Sequence, residues 1–86
     1  MKVFLPSPLH RYTRGKSPVE AEGTTLQALL ADLDRRHPGI RFRMVDEQGG
    51  IREHIKVFVN SEAVTRLSRA LGKDDEVQIL TALSGG

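Results

Sequence analysis

Leu26, Leu29, Leu30 and Leu33 recur at helical spacing just ahead of a Pro38-Gly39 stop, and this segment constrains the chain most. Thr24, three residues before Gln27, matches a capping box, so the spacing predicts one amphipathic helix over about Thr25 to Arg36. Arg35, Arg36 and His37 suit its carbonyl end electrostatically. A single helix with one apolar face has to bury that face against something else. In 86 residues with 38% hydrophobic and 28% charged side chains, there is room for one small globular domain and no second. A radius of gyration of about 12 Å is expected, too small to enclose a large pocket, so elaborate catalysis within the chain is not expected.

The rest of the chain reads as strands. Val3 and Leu5 alternate with Lys2 and Phe4 before Pro6 withdraws an amide from any ladder. The run from Pro6 to Ser17 reads as a loop, and Val19 and Ala21 alternating with Glu20 and Glu22 predict a second strand, hairpin-paired to the first and ending at Gly23. From Ile40 to Val45 the signals conflict. Ile40, Phe42 and Met44 alternate like a strand, while Ile40 and Met44 are also one helical turn apart. Asp46 to Gly50 is a turn, and Ile55, Val57 and Val59 form the clearest strand, ended by Asn60-Ser61-Glu62. Val64, Leu67 and Leu71 fit a short helical or irregular crossing, and Lys73-Asp74-Asp75-Glu76 turns into a last strand, Val77 to Leu80. Strand, strand, helix, strand, crossing, strand is the order of a helix packed across one face of a mixed sheet. The expected class is α+β, a β-grasp of four or five strands over residues 1–80, with Val3, Leu5, Val57, Val77 and Ile79 under the leucine face and a flexible tail over 81–86.

Several functions are excluded by what the chain lacks. With no cysteine there is no disulfide, thiolate or usual zinc site, and a reducing compartment, the cytoplasm, is the expected setting. No run approaches the roughly 18 apolar residues of a membrane span, and Pro6 and Pro8 interrupt any signal-like segment. Thirteen basic against eleven acidic residues leave a charge of +2, too even for the basic stripe of a nucleic-acid binder. His10, His37 and His54 have no shared metal spacing and read as solvated. The serines lack a nucleophile elbow, Gly49-Gly50 lacks the lysine of a phosphate loop, and Asp74, Asp75 and Glu76 read as a solvated turn. Neither a metal nor a cofactor is expected.

The last residues are different. Thr81-Ala82-Leu83-Ser84 leads to Gly85-Gly86, which add no Cβ and maximal backbone freedom. On a β-grasp, such an end can thread a narrow channel and present its carboxylate to another protein. Val57-Phe58-Val59-Asn60 with Glu62, Asp75-Glu76-Val77, and Ala82-Leu83-Ser84-Gly85-Gly86 together resemble the ThiS/MoaD family of ubiquitin-like sulfur carriers over the whole length. Asp74 stands where that family commonly has glycine, which bears on the turn and not on the tail. The Leu5 to Leu9 opening and the long Phe42 to Asn60 segment look more like the subgroup serving cysteine or secondary-metabolite synthesis than like the molybdopterin synthase small subunit. The resemblance implies a carrier that is not itself an enzyme. A ubiquitin-activating-type enzyme would adenylate the Gly86 carboxylate, sulfur would displace AMP, and the thiocarboxylate would pass to an acceptor synthase. Gly85, Ser84 and Leu83 would thread the channel. The alternatives are the molybdopterin synthase subunit, a ubiquitin-like modifier joined to lysines through Gly86, and a basic RNA-binding β-grasp.

Strand alternation also places Phe4, Phe58 and Leu80 on the face away from the helix. In a β-grasp the last strand lies between the first and third, so these three are expected to form one apolar patch for both partners.

Overall fold

The computed structural model describes residues 1–82. Five strands form one sheet: β1 (Lys2–Phe4), β2 (Val19–Glu20), β3 (Ile55–Val59), β4 (Glu62–Val64) and β5 (Val77–Thr81), in the order β2-β1-β5-β3-β4. β1 and β5 are parallel and the other pairs antiparallel. Helix α1 (Leu26–Arg36) covers one face, and its four leucines are at most 1% exposed. Beneath them Val3, Leu5, Val57, Val77 and Ile79 are all buried, the core that the alternation predicts. The radius of gyration is 11.8 Å.

The cap of α1 sits one residue later than the sequence suggests. Thr25, not Thr24, is the cap: it is extended, and its Oγ1 accepts from the Ala28 N–H at 3.1 Å. The tertiary structure shifts the start. The crossing after β4 supplies carbonyls to two first-turn amides that a helix start leaves without partners, Leu26 N–H to Arg69 and Gln27 N–H to Leu67, while Thr24 accepts from Leu71 N–H. Thr24 is thereby drawn into the pairing of two extended segments. Behind this start, Gly23 approaches the helix so closely that a Cβ there would meet the Leu29 nitrogen and stand 2.7 Å from the Ala28 carbonyl carbon. Only glycine fits there.

The ambiguous segment is helical: α2 spans Ile40–Met44 and buries Ile40 and Met44, four residues apart, leaving Phe42 exposed. Gly39, at φ +96°, starts it, and its lack of a side chain makes room for the Tyr12 ring. The expected loop after β1 contains a 3-10 helix, Ser7–Tyr12, whose Leu9 is buried in the core. It packs on the helical side of the sheet, against α2. The expected crossing at Val64 begins instead with β4. Asn60 and Ser61 take φ of +49° and +72°, the left-handed pair of a tight hairpin, so Glu62 opens a strand rather than ending one.

Candidate functional site

β5 is the middle strand of five, and the chain leaves the sheet from its end. The strand runs to Thr81, one residue beyond the expected Leu80, with Thr81 opposite Ile55. The Ala82 N–H then donates to the His54 carbonyl at 2.7 Å. The tail residues Leu83, Ser84, Gly85 and Gly86 lie outside the described residues. β5 is paired on both sides at Val77 and Gln78 and by β3 alone from Ile79 to Thr81, so β3 is the strand that holds the segment leading to them.

The register fixes the outer face. Phe4 and Phe58 both pair with Gln78, from opposite sides, and Ala63 follows Phe58 on β4. These four stand in one row across four strands. Leu80 lies two residues along from Gln78, within diagonal reach of both rings at roughly 7–8 Å, and is paired with Lys56. Leu80 is 48% exposed and the two phenylalanines are half-buried. The face is thus an apolar triangle with an amide inside it and an ammonium at its margin. Gln78 and Lys56 are missing from the sequence reading of this face, although the alternation that selects Phe58 and Leu80 selects them too.

The signature residues Asn60 and Asp75 belong to the other end of the sheet. Asn60 Nδ2 donates to Asp75 Oδ1 at 2.8 Å, its Oδ1 accepts from the Glu76 N–H at 2.9 Å, and its own N–H donates to the Glu76 carbonyl. Asp75 Oδ2 accepts from the Gly72 N–H at 2.7 Å. That backbone bond, then the Asn60 amide and the Arg69 charge, hold the Asp75 carboxyl below the usual carboxylate range. This clasp locks the β3–β4 hairpin to the start of β5, where Val59 pairs with Val77. Its role is to seat the central strand, four residues from the chain exit. Asp74 needs no positive φ, so the turn closes without the family's glycine.

The three histidines stay apart. His10 Nε2 bonds the Leu5 carbonyl at 2.9 Å, His37 caps α1 through its backbone, and His54 lends its carbonyl to Ala82. Among the described residues, no three His, Cys, Asp or Glu side chains are placed to hold a metal.

Comparison with known proteins agrees with this geometry. The sulfur carrier protein CysO of Mycobacterium tuberculosis is 35% identical over 89 residues, covering 98% of this chain and 96% of the relative. A chain in the crystal structure of the Amycolatopsis orientalis BexX/CysO complex superposes with a TM-score of 0.91 at 35% identity, covering 99% and 98% of the two chains. SAMP1 of Haloferax volcanii superposes with a TM-score of 0.79 at 28% identity, covering 100% and 98%. These neighbours share the ubiquitin-like β-grasp. The ThiS family model matches residues 3–86, and the chain belongs to the ThiS family.

Proposed function

We propose that this chain is a sulfur carrier whose Gly86 carboxylate is the working group. The observation that carries the reading is end-to-end similarity to CysO sulfur carriers on the same fold, with central strand β5 leading toward Gly85-Gly86. A carboxylate at neutral pH resists a nucleophile, so the acyl carbon needs a leaving group first. In the proposed sequence, a Gly86 carboxylate oxygen attacks the α-phosphorus of ATP within a partner enzyme, releasing pyrophosphate. Sulfide then attacks the acyl carbon and AMP leaves, which gives the thiocarboxylate directly; where a persulfide attacks instead, AMP leaves to give an acyl disulfide, and a thiol reductant cleaves its S–S bond to release the thiocarboxylate. The resulting thiocarboxylate gives its sulfur to an acceptor synthase in the making of cysteine or another sulfur metabolite, in the reducing cytoplasm. This chain supplies the reacting carboxylate and no acid, base or metal.

Leu83, Ser84 and Gly85 thread the partner's channel, and the outer face of Phe4, Phe58 and Leu80 docks it. The adenylating enzyme and the acceptor share that face and so bind in turn. The rim fits such use, since Gln78 and Lys56 offer polar contacts beside an apolar centre. The likeness to SAMP1, a small archaeal modifier protein, favours a second reading in which Gly86 is joined to lysines.

Intact mass after incubation with ATP, a sulfur donor and the adenylating enzyme distinguishes the two. The carrier reading expects the gain of one sulfur in place of one oxygen at the C-terminal peptide. A protein-sized adduct without that gain overturns it in favour of the modifier.

A further inference from the structure

A second cluster lies around α2, and the carrier chemistry makes no use of it. Phe42 is 60% exposed, the most open of the large apolar side chains described. The Arg52 guanidinium lies over its ring at 4.7 Å and donates through Nε to the Phe42 carbonyl at 2.7 Å. On the same surface Arg43 Nε donates to the Tyr12 hydroxyl at 2.6 Å, and Arg11 stands over the Tyr12 ring at 5.3 Å. Two ring-and-guanidinium groups thus meet at consecutive residues of α2, Phe42 with Arg52 and Arg43 with Tyr12 and Arg11.

Among the described residues these arginines, like Arg14 and Arg66, make no ion pair. Arg35 and Arg36 pair with Asp32, and Arg69 with Glu62. Among the described residues no carboxylate lies within ion-pair distance of Arg11, Arg41, Arg43 or Arg52. Two nearby acids serve the backbone instead. Asp34 Oδ1 accepts from the Gly39 and Arg41 amides, and Asp46 Oδ1 from those of Gln48 and Gly50, although the charge of Asp46 still reaches Arg52.

The cluster also stands close to the chain exit. The Arg52 N–H donates to Met44, the Ile55 N–H donates to Arg52, and Ile55 pairs with Thr81. The Arg52 end of the cluster is thus joined through the backbone to Ile55, the β3 residue opposite Thr81.

A guanidinium held on a ring is already ordered and weakly hydrated, so little is lost when a carboxylate takes its remaining N–H donors in a two-pronged bond. Arginine and aromatic side chains are also the types that concentrate binding energy at protein interfaces. A guanidinium covers one face of each ring, which leaves at most the other face for a base, so RNA is the competing occupant that the test has to separate. Resting on the carrier reading, the geometry points to the surface of Arg11, Tyr12, Arg41, Phe42, Arg43 and Arg52 as a docking site for an Asp/Glu-rich patch on the adenylating enzyme.

The test titrates the full chain, labelled for amide NMR, with a synthetic peptide of alternating Asp and Glu, and in parallel with an RNA decamer. Shifts from the peptide are expected at residues 11–12, 41–43 and 52 and should fade with added salt. Arg43→Glu and Phe42→Ser, each checked for an unchanged thermal transition, should weaken the peptide about fivefold, the scale of one such contact. Shifts centred elsewhere, unchanged affinity in both folded variants, or tighter binding of the RNA at the same residues overturns the proposal. In loading assays with the adenylating enzyme, Arg43→Glu should raise the apparent KM about fivefold at unchanged kcat, and an unchanged KM also overturns it. If the native chain is never loaded, the carrier reading is what fails, and the peptide titration alone judges the surface.

Discussion

Leu29→Ala tests whether the seat of α1 carries the stability of the domain. Leu29 is fully buried, and the substitution removes three carbons worth about 0.8 kcal/mol each, roughly 2.4 kcal/mol of lost burial. A cavity term is added to the extent that the surroundings fail to close in. Here they are poorly able to close. Gly23 already lies against the Ala28–Leu29 backbone, so the helix cannot settle further toward that segment, and the hydrogen bonds from Leu26 and Gln27 to the crossing fix its start. The expected loss is therefore about 3 to 4 kcal/mol, within the range for leucine truncation in cores. For a domain of this size each kcal/mol moves the midpoint by about 4–8 °C, so thermal unfolding followed by circular dichroism should show a fall of roughly 12–30 °C. Urea titration gives the free energy independently. A loss well under 1 kcal/mol would mean that the leucine face is not the keystone of this core.

Removing Gly86, or both terminal glycines, should abolish sulfur loading while the thermal midpoint stays within about 2 °C, since a chain terminus contributes little to the core; a large drop would contradict a tail free of the domain. Phe58→Asp should weaken both the adenylating enzyme and the acceptor at a stability cost of about 1 kcal/mol, below that of Leu29→Ala, because the half-buried ring stands on the outer face, paired with Gln78. Normal loading and delivery by that variant sinks the shared-face idea. Asp75 has a folded-state pKa depressed by the Gly72 amide, the Asn60 side chain and the Arg69 charge, so its contribution is complete above the unfolded carboxyl pKa of about 3.9 and fades as pH falls through the folded value. Asp75→Asn should therefore be less stable than the parent at neutral pH, with the difference shrinking in acid, and a difference independent of pH would show that the carboxylate charge is not what holds the clasp.

The sequence by itself determined the elements whose pattern is long and whose environment is uniform. Four leucines at helical spacing need one partner surface, and Val3, Leu5, Val57, Val77 and Ile79 alternate to provide it, so helix, core and sheet class are legible without coordinates. The ThiS resemblance was legible because its motif residues, among them Asn60, Asp75 and the closing glycines, can be read directly, and Asn60 is a residue type that a left-handed turn accepts. Only the tertiary structure decided the short or two-sided features. Thr25 displaces Thr24 as the cap because a distant segment, Leu67 to Leu71, supplies the carbonyls. β4 has three residues and exists because Asn60 and Ser61 accept left-handed angles, a choice rewarded by pairing with β3 and invisible in Glu62-Ala63-Val64 taken alone. Ile40 to Met44 suits a strand and a helix equally until the core offers Ile40 and Met44 sites one turn apart. The register does the same for function. Alternation gives each side chain a face, but only the pairing of strands from opposite ends of the chain puts Gln78 between Phe4 and Phe58, because those neighbours are set by hydrogen bonds across the sheet rather than by distance along the sequence.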